Sequence, residues 1–103
     1  MTDRGSPASP VPQGVQDELR RLGERWQQLP RTQALRYAGR VHALVQALAD
    51  RVAQAQRAPS VDVPDLGPAV VMDQLRVLAY DAAAAGVGDG LEEALAALRR
   101  ALP

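Results

Sequence analysis

The feature that most constrains this chain is a helical pattern, free of proline, that runs from about residue 32 to residue 57. Its apolar residues recur at alternating intervals of four and three, so they lie along one seam of a helix. The seam consists of Ala34, Ala38, Val41, Val45, Leu48, Val52 and Ala55. Leu35, Tyr37 and Leu44 widen it beyond a simple coiled-coil stripe. A helix of this length spans about 37 Å, which predicts the central helix of a bundle.

Shorter segments on either side of this central helix carry the same periodicity. Their stripes are Val15, Leu19, Leu22, Trp26 and Leu29; then Val71, Leu75, Leu78, Ala82 and Ala85; then Leu91, Leu95, Leu98 and Leu102. Pro30, Pro68 and the glycine-rich residues 86–90 separate the segments. We therefore predict an all-α fold, an antiparallel four-helix bundle with one long central helix (about 32–57), in a single domain over residues 11–103.

The ends of the predicted helices give further expectations. The short break before Thr32 should fold the first helix back against the first half of the central helix, with Thr32 as its cap. Asp89 followed by Glu92 is typical of a capping box for the fourth helix. Residues 1–10 contain Ser, Pro, Gly and charge with little to bury, which predicts a disordered tail.

Residues 58–68 hold three prolines and one glycine and cannot continue a helix. We expect the apolar side chains of Val61, Val63 and Leu66 to hold this loop against the bundle. The sequence leaves open whether the loop is functional or a plain connector between two helices.

Composition narrows the function classes. The chain has no Cys, which excludes disulfides, thiolate metal sites and cysteine nucleophiles. It also lacks Lys, Asn, Phe and Ile, a usage that points to a GC-rich bacterial genome. No apolar segment resembles a secretion signal or a membrane span, so we expect a cytoplasmic protein without a membrane span.

Titratable groups suggest little catalytic chemistry. His42 is the only imidazole, and no acidic pair or second His lies near it on its helix to complete a metal site. We interpret His42 as a polar core residue. Asp81, at the edge of the third stripe, is a candidate for the same polar core as a buried partner of His42 or of an Arg, but the pattern favours a solvated position at that edge. The sequence predicts no catalytic, metal-binding or cofactor-binding residue, and hence no enzyme.

Charge is divided unevenly along the chain. Residues 15–40 hold six Arg against three acidic residues, a net charge of +3, whereas residues 58–103 hold three Arg against seven, a net charge of −4. Arg36 and Arg40 lie one helical turn apart, a spacing that normally favours opposite signs. Acidic groups from the second half, from another chain or from a bound anion are expected beside them.

These features favour binding over catalysis. The candidate interface residues are Arg36, Arg40, Tyr37 and Trp26, and the expected partner is a second copy of the chain or another protein. The low positive charge and the absence of a recognition motif argue against nucleic acid. Our hypothesis is a non-catalytic protein–protein interaction or regulatory accessory module. The alternatives are a bundle that binds a small apolar ligand beneath the loop, and a small enzyme that uses His42.

Overall fold

The computed structural model describes residues 11–103, and these form α-helices with no strand among them. The helices are α1 (Gln13–Gln28), α2 (Arg31–Ala55), α3 (Pro68–Ala84) and α4 (Leu91–Ala101). The prediction of an all-α four-helix bundle in which one helix is far longer than the others is confirmed. The predicted disordered tail, residues 1–10, lies outside the described residues.

The core forms where the apolar stripes of the four helices converge. Leu22, Leu48, Leu75 and Leu95, one from each helix, are fully buried. Trp26, at the end of α1, is only 8% exposed, and its Nε1–H donates a 2.9 Å hydrogen bond to the carbonyl of Pro68. The largest side chain of the core therefore ties the end of α1 to the start of α3.

Helix pairing differs from the sequence-based expectation. The close contacts are α2 with α3 and α1 with α4, whereas α1 makes only slight contact with α2. The expectation that α1 lies against the first half of α2 was therefore wrong. Small residues explain the choice, because Gly14 of α1 leaves room for the carboxylate of Glu92 and Ala96 of α4 is buried, so these two helices approach closely.

The long loop between α2 and α3, residues 56–67, crosses back along the bundle. His42 in the middle of α2 and Gln74 in the first half of α3 both contact loop residues 63–64. Arg51, near the end of α2, reaches carbonyls just beyond the end of α3. The two short connections reverse the chain, and the loop lets α2 and α3 run in the same direction.

Neither predicted side-chain cap forms. Pro30 has an extended ψ of 151° and is the N-cap of α2, so the helix begins at Arg31 and Thr32 falls inside its first turn. Gly90, with a left-handed φ of 76°, is the N-cap of α4, which places Asp89 one residue too early to cap.

Left-handed residues instead end two of the helices. α3 closes with Gly86 at φ 74°, and the amide of Val87 donates back to Ala82, a Schellman arrangement. α2 closes in the same way, with the amide of Ala58 donating to Ala53, but its left-handed residue is Arg57 at φ 56°. A side chain in this conformation costs about 1–2 kcal/mol, so the loop starts at a strained residue.

Candidate interaction surface

Side chains of α2 and α3 hold the loop in place by hydrogen bonds to its backbone. Gln46 accepts from the amide of Val63 at 2.8 Å and donates to the carbonyl of Val61 at 3.1 Å. Gln74 donates to the carbonyl of Pro64 at 3.0 Å. Proline has no amide hydrogen, so these helix side chains provide partners for the loop backbone that the loop itself lacks.

His42 belongs to this set of loop anchors. It is half-buried, and its Nε2 lies 2.9 Å from the carbonyl oxygen of Val63. A carbonyl only accepts, so this contact requires a hydrogen on Nε2. His42 is thus a partly buried, hydrogen-bonded histidine, as the sequence predicts, and its role is to position the loop.

Two of the three apolar side chains expected to hold the loop in place do not do so. Only Val63 packs against the core, while Val61 is 73% and Leu66 is 56% exposed. The physical reason is that the contacts from α2 and α3 reach the loop backbone, so polar bonds fix the chain and leave these two side chains free. The loop is ordered and yet presents apolar surface to water.

A groove of about 350 Å³ lies between this loop, the second half of α2 and α3. Its walls are mostly apolar and include Val52, Ala53, Pro59, Val61, Val63 and Leu78. The groove is open to solvent along its length and is not an enclosed cavity. We call residues 58–66 together with this groove the loop surface.

Acidic residues lie in the groove wall and beside it. Asp62 lines it, and Asp50 accepts a 3.0 Å hydrogen bond from the same Gln46 amide that contacts Val61. Asp81 is exposed one turn beyond Leu78 on α3, and Asp65 lies within the loop. None of the four is in an ion pair among the described residues.

One cation, the exposed Arg57, lies in sequence between two residues of the groove wall, Gln56 and Ala58. The nearby Arg51 is directed elsewhere, since its Nη1 donates to the carbonyls of Val87 and Asp89. With Asp62 in the groove wall and Asp50, Asp65 and Asp81 next to it or one turn away, the acidic residues of the loop surface outnumber the cations.

The predicted interface residues of α2 lie on its opposite flank. Arg36 and Arg40 are exposed, and the guanidinium of Arg40 lies 5.7 Å from the centre of the Tyr37 ring. A second groove, of about 250 Å³, follows this flank and is lined by Arg40, Leu44, Ala94, Ala97, Leu98 and Ala101. We call it the α2–α4 groove.

The described residues place no carboxylate of the second half beside Arg36 or Arg40. Of the three sources of negative charge considered for these two arginines, the second half of the chain therefore supplies none among residues 11–103, and another chain or a bound anion stay as predictions. The ion pair that does join the two halves has the opposite polarity, with the acid from α1 and the arginine from α4.

Trp26 and Asp81 occupy other environments than those predicted for them. Trp26 is used within the core, where its indole is bound to Pro68, and not on the flank of α2. Of the two positions considered for Asp81, the structure has the solvated edge and not the polar core, because the buried line of α3 runs through Leu75, Ala79 and Ala82 and leaves Asp81 exposed. Asp81 has no hydrogen bond to His42 among residues 11–103.

A buried carboxylate on α1 was not predicted from the sequence. Glu18 is 7% exposed and accepts a 2.8 Å hydrogen bond from Nε of Arg99 on α4. This hydrogen bond lowers the pKa of Glu18 below its usual value; burial opposes the shift, and the positive charges of Arg99 and Arg21 add to it. The same bond raises the pKa of Arg99. Glu18 directly precedes Leu19 in the apolar stripe of α1, and this position at the edge of the stripe was the sequence feature that could have indicated its burial.

Two further kinds of functional feature are absent from residues 11–103. No three potential metal-ligating side chains lie close enough together there to hold a metal ion. None of the described helices combines the length and the apolar character that crossing a membrane requires. In comparisons with known proteins, no family model, no curated protein and no solved structure matches the chain.

Proposed function

We propose that the chain is a non-catalytic protein–protein interaction module, an accessory or regulatory protein of a GC-rich bacterium, and that it binds its partner through the loop surface. One observation carries the proposal. Val61 and Leu66 are exposed on a loop whose backbone is held by hydrogen bonds from His42, Gln46 and Gln74. An apolar surface that is already ordered loses little conformational entropy when a partner covers it.

The placement of the titratable groups supports binding over catalysis. An enzyme built on His42 needs a nucleophile or a substrate beside the imidazole. Nε2 of His42 is bound to the carbonyl of Val63, and Asp81 is exposed without a bond to it. Tyr37 lies five positions before His42, about 140° away around the helix axis.

The open shape of the groove favours a protein partner over a small apolar ligand. Binding sites for small ligands enclose most of the ligand surface, whereas the groove beside Val61 is open along its length. If the chain instead carries a small apolar ligand, small apolar compounds should raise its melting temperature. Leu78→Glu puts a charge in the groove wall and should abolish this shift. A protein-binding surface predicts no such shift.

Site-directed photo-crosslinking in the native cell tests the proposal. A photoreactive amino acid at position 61 should give an adduct of one defined mass, because position 61 would lie inside the interface. Position 80 provides the matched control, since Tyr80 is also exposed, at 45%, but lines a different groove between α1 and α3. The adduct from position 61 should disappear when Leu66→Asp is added. No adduct from position 61, or the same adducts from both positions, would reject the proposal.

Self-association through α2 is a second candidate. It is supported by the α2–α4 groove itself, where alanines allow close approach of another helix. Arg36 and Arg40 are exposed beside it and would pair with acidic side chains from a different part of the second copy. We propose a homodimer that uses this groove, distinct from the loop surface. Light scattering after size exclusion should give twice the chain mass at micromolar concentration.

A matched pair of variants locates this contact. Ala97→Arg should yield monomers, because it fills and charges the α2–α4 groove. Ala69→Arg, at an exposed alanine of α3, should leave the dimer intact. Arg36→Glu with Arg40→Glu tests whether the contact is electrostatic. If it is, the double variant and added salt should both weaken the dimer; if the contact is apolar, neither should. A mass of one chain at every concentration would exclude the homodimer.

A further inference from the structure

We infer that the loop surface recognises a basic amphipathic segment of a partner protein, in which apolar side chains enter the groove and Arg or Lys side chains meet its acidic rim. This inference rests on the proposed function and adds the chemistry of the partner. It uses two independent properties of the same surface, the apolar groove wall and the charges around it.

The groove has apolar walls that an occupant must match. The walls contributed by Val52, Val63 and Leu78 are uncharged and partly buried, so the occupant must bring apolar side chains to replace the water there. Val61 stands beside them with 73% of its surface exposed. The groove lies between a helix and an extended loop, and a helical or extended segment with one apolar face fits this shape.

The acidic residues beside the groove select the charge of the occupant. Asp62 lines the groove, and Asp50 bonds to the Gln46 amide that also contacts Val61. Asp65 follows Pro64 of the groove wall, and Asp81 lies one turn beyond Leu78. None of the four has a cationic partner in the described range. A segment that carries Arg or Lys beside its apolar face would pair with them, and an acidic segment would be repelled. Complementary charge thus selects among the many segments that could supply an apolar face.

The same charges argue against a second copy of the chain bound face to face on this surface. In a two-fold interface each patch meets its own image, so Asp62 and Asp81 of one copy would approach the same acids of the other. Like charges brought together in this way oppose association. The occupant of the loop surface is therefore a different segment from the loop surface itself.

Arg57 offers a variant that acts in the opposite direction. It is the cation placed between two groove-wall residues, and it holds a left-handed φ of 56° that glycine adopts without strain. Arg57→Gly removes the one positive charge there while keeping the backbone conformation. It should make the rim more negative without damaging the fold.

Fluorescence anisotropy with two synthetic peptides tests the inference. Both peptides have about 16 residues with leucines at the same alternating third and fourth positions; one carries Arg at the remaining positions and the other carries Glu. The full chain should bind the Arg peptide at least about tenfold more tightly. Salt should reduce this preference by screening.

Variants of the chain locate the binding. Val61→Ser with Leu66→Ser should weaken the binding of the Arg peptide by at least about tenfold. Asp62→Asn with Asp81→Asn should weaken it by about fivefold. Glu92→Gln with Glu93→Gln changes the net charge equally but on α4, and should leave binding unchanged. Arg57→Gly should tighten it by about twofold.

The outcomes separate the inference from the proposed function. Equal binding of both peptides, tighter binding of the Glu peptide, or no binding of either would overturn the inference. So would a loss of affinity in the α4 control as large as that in the rim variant. Crosslinking from position 61 judges the proposed function independently, because it does not depend on the charge of the partner.

Discussion

The contact between α1 and α4 and the loop surface differ in what they bury. Between α1 and α4, the carboxylate of Glu18 is taken out of water, with 7% of the residue exposed, and Arg99 bonds to it directly. At the loop surface the polar groups of helix and loop satisfy one another, and apolar Val61 is left in water. One region is thus complete within the chain, whereas the other leaves the apolar surface that we propose a partner covers.

This difference separates stability from binding. A buried carboxylate is tolerated because a charged hydrogen bond offsets its loss of hydration. Fully burying a valine or leucine stabilises by about 1.5–3 kcal/mol, and the isolated chain forgoes most of that at Val61. We therefore expect substitutions in the core and between α1 and α4 to change folding, and substitutions at the loop surface to change binding.

The largest expected effect is at Trp26, which connects the core to the end of the loop through Pro68. Trp26→Ala should lower the free energy of unfolding by about 3–5 kcal/mol, because it leaves a cavity in the core and removes the hydrogen bond to Pro68. Urea unfolding followed by circular dichroism measures the change. Trp26→Phe is the control that keeps most of the ring volume but loses the Nε1 bond, and it should cost less. An equal loss in both variants would show that the hydrogen bond dominates.

The next effect is at Glu18, where Glu18→Gln should cost about 1–2 kcal/mol at neutral pH because a charged hydrogen bond becomes a neutral one. The pKa of Glu18 is lowered in the folded chain, so its contribution is present above the unfolded pKa and is lost as pH falls through the folded pKa. The difference in unfolding free energy between the two proteins should be constant from pH 7 to about 5 and shrink at lower pH. Arg99 stays protonated throughout this range. A difference that persists unchanged to about pH 2 would mean that the charge of Glu18 contributes nothing.

A smaller effect is expected where the helices hold the loop. Gln46→Ala removes both contacts to the loop backbone and should cost about 1 kcal/mol. It should also speed hydrogen exchange at the amide of Val63, which then has no acceptor. Gln54→Ala, an exposed glutamine on the same helix, is the control. Unchanged exchange at Val63 would mean that Gln46 does not order the loop.

Local pattern predicted the helices but not their neighbours. The four-and-three spacing on α2 identified Val41, Val45 and Leu48, which are all buried, because helical periodicity is a local property of the chain. The pairing of α1 with α4 depends on how closely two distant backbones approach, and neither Gly14 nor Ala96 stands out in the sequence. The burial of Glu18 likewise depends on Arg99, far along the chain.

The sequence predicted the loop but not the exposure of its apolar side chains. The prolines predicted the loop, and Val61 and Leu66 were recognised as apolar, but they were expected to pack against the bundle. What decides their exposure is that Gln46, Gln74 and His42 bind the backbone of the loop instead. Side chain to backbone bonds across such distances leave no periodic signal in a sequence.

The smallest expected effect on folding, and the sharpest test of the comparison, is at the apolar tip of the loop. Val61→Ser with Leu66→Ser should change the free energy of unfolding by no more than about 0.5 kcal/mol, because both side chains are mostly in water in the folded and the unfolded chain alike. Val63→Ser is the matched control in the same loop, since Val63 packs against the core, and it should cost clearly more. Chemical unfolding of all three proteins gives the comparison. If the double variant lost as much stability as Val63→Ser, the exposed residues would be part of the fold, and the separation between a folding contact and a binding surface would fail.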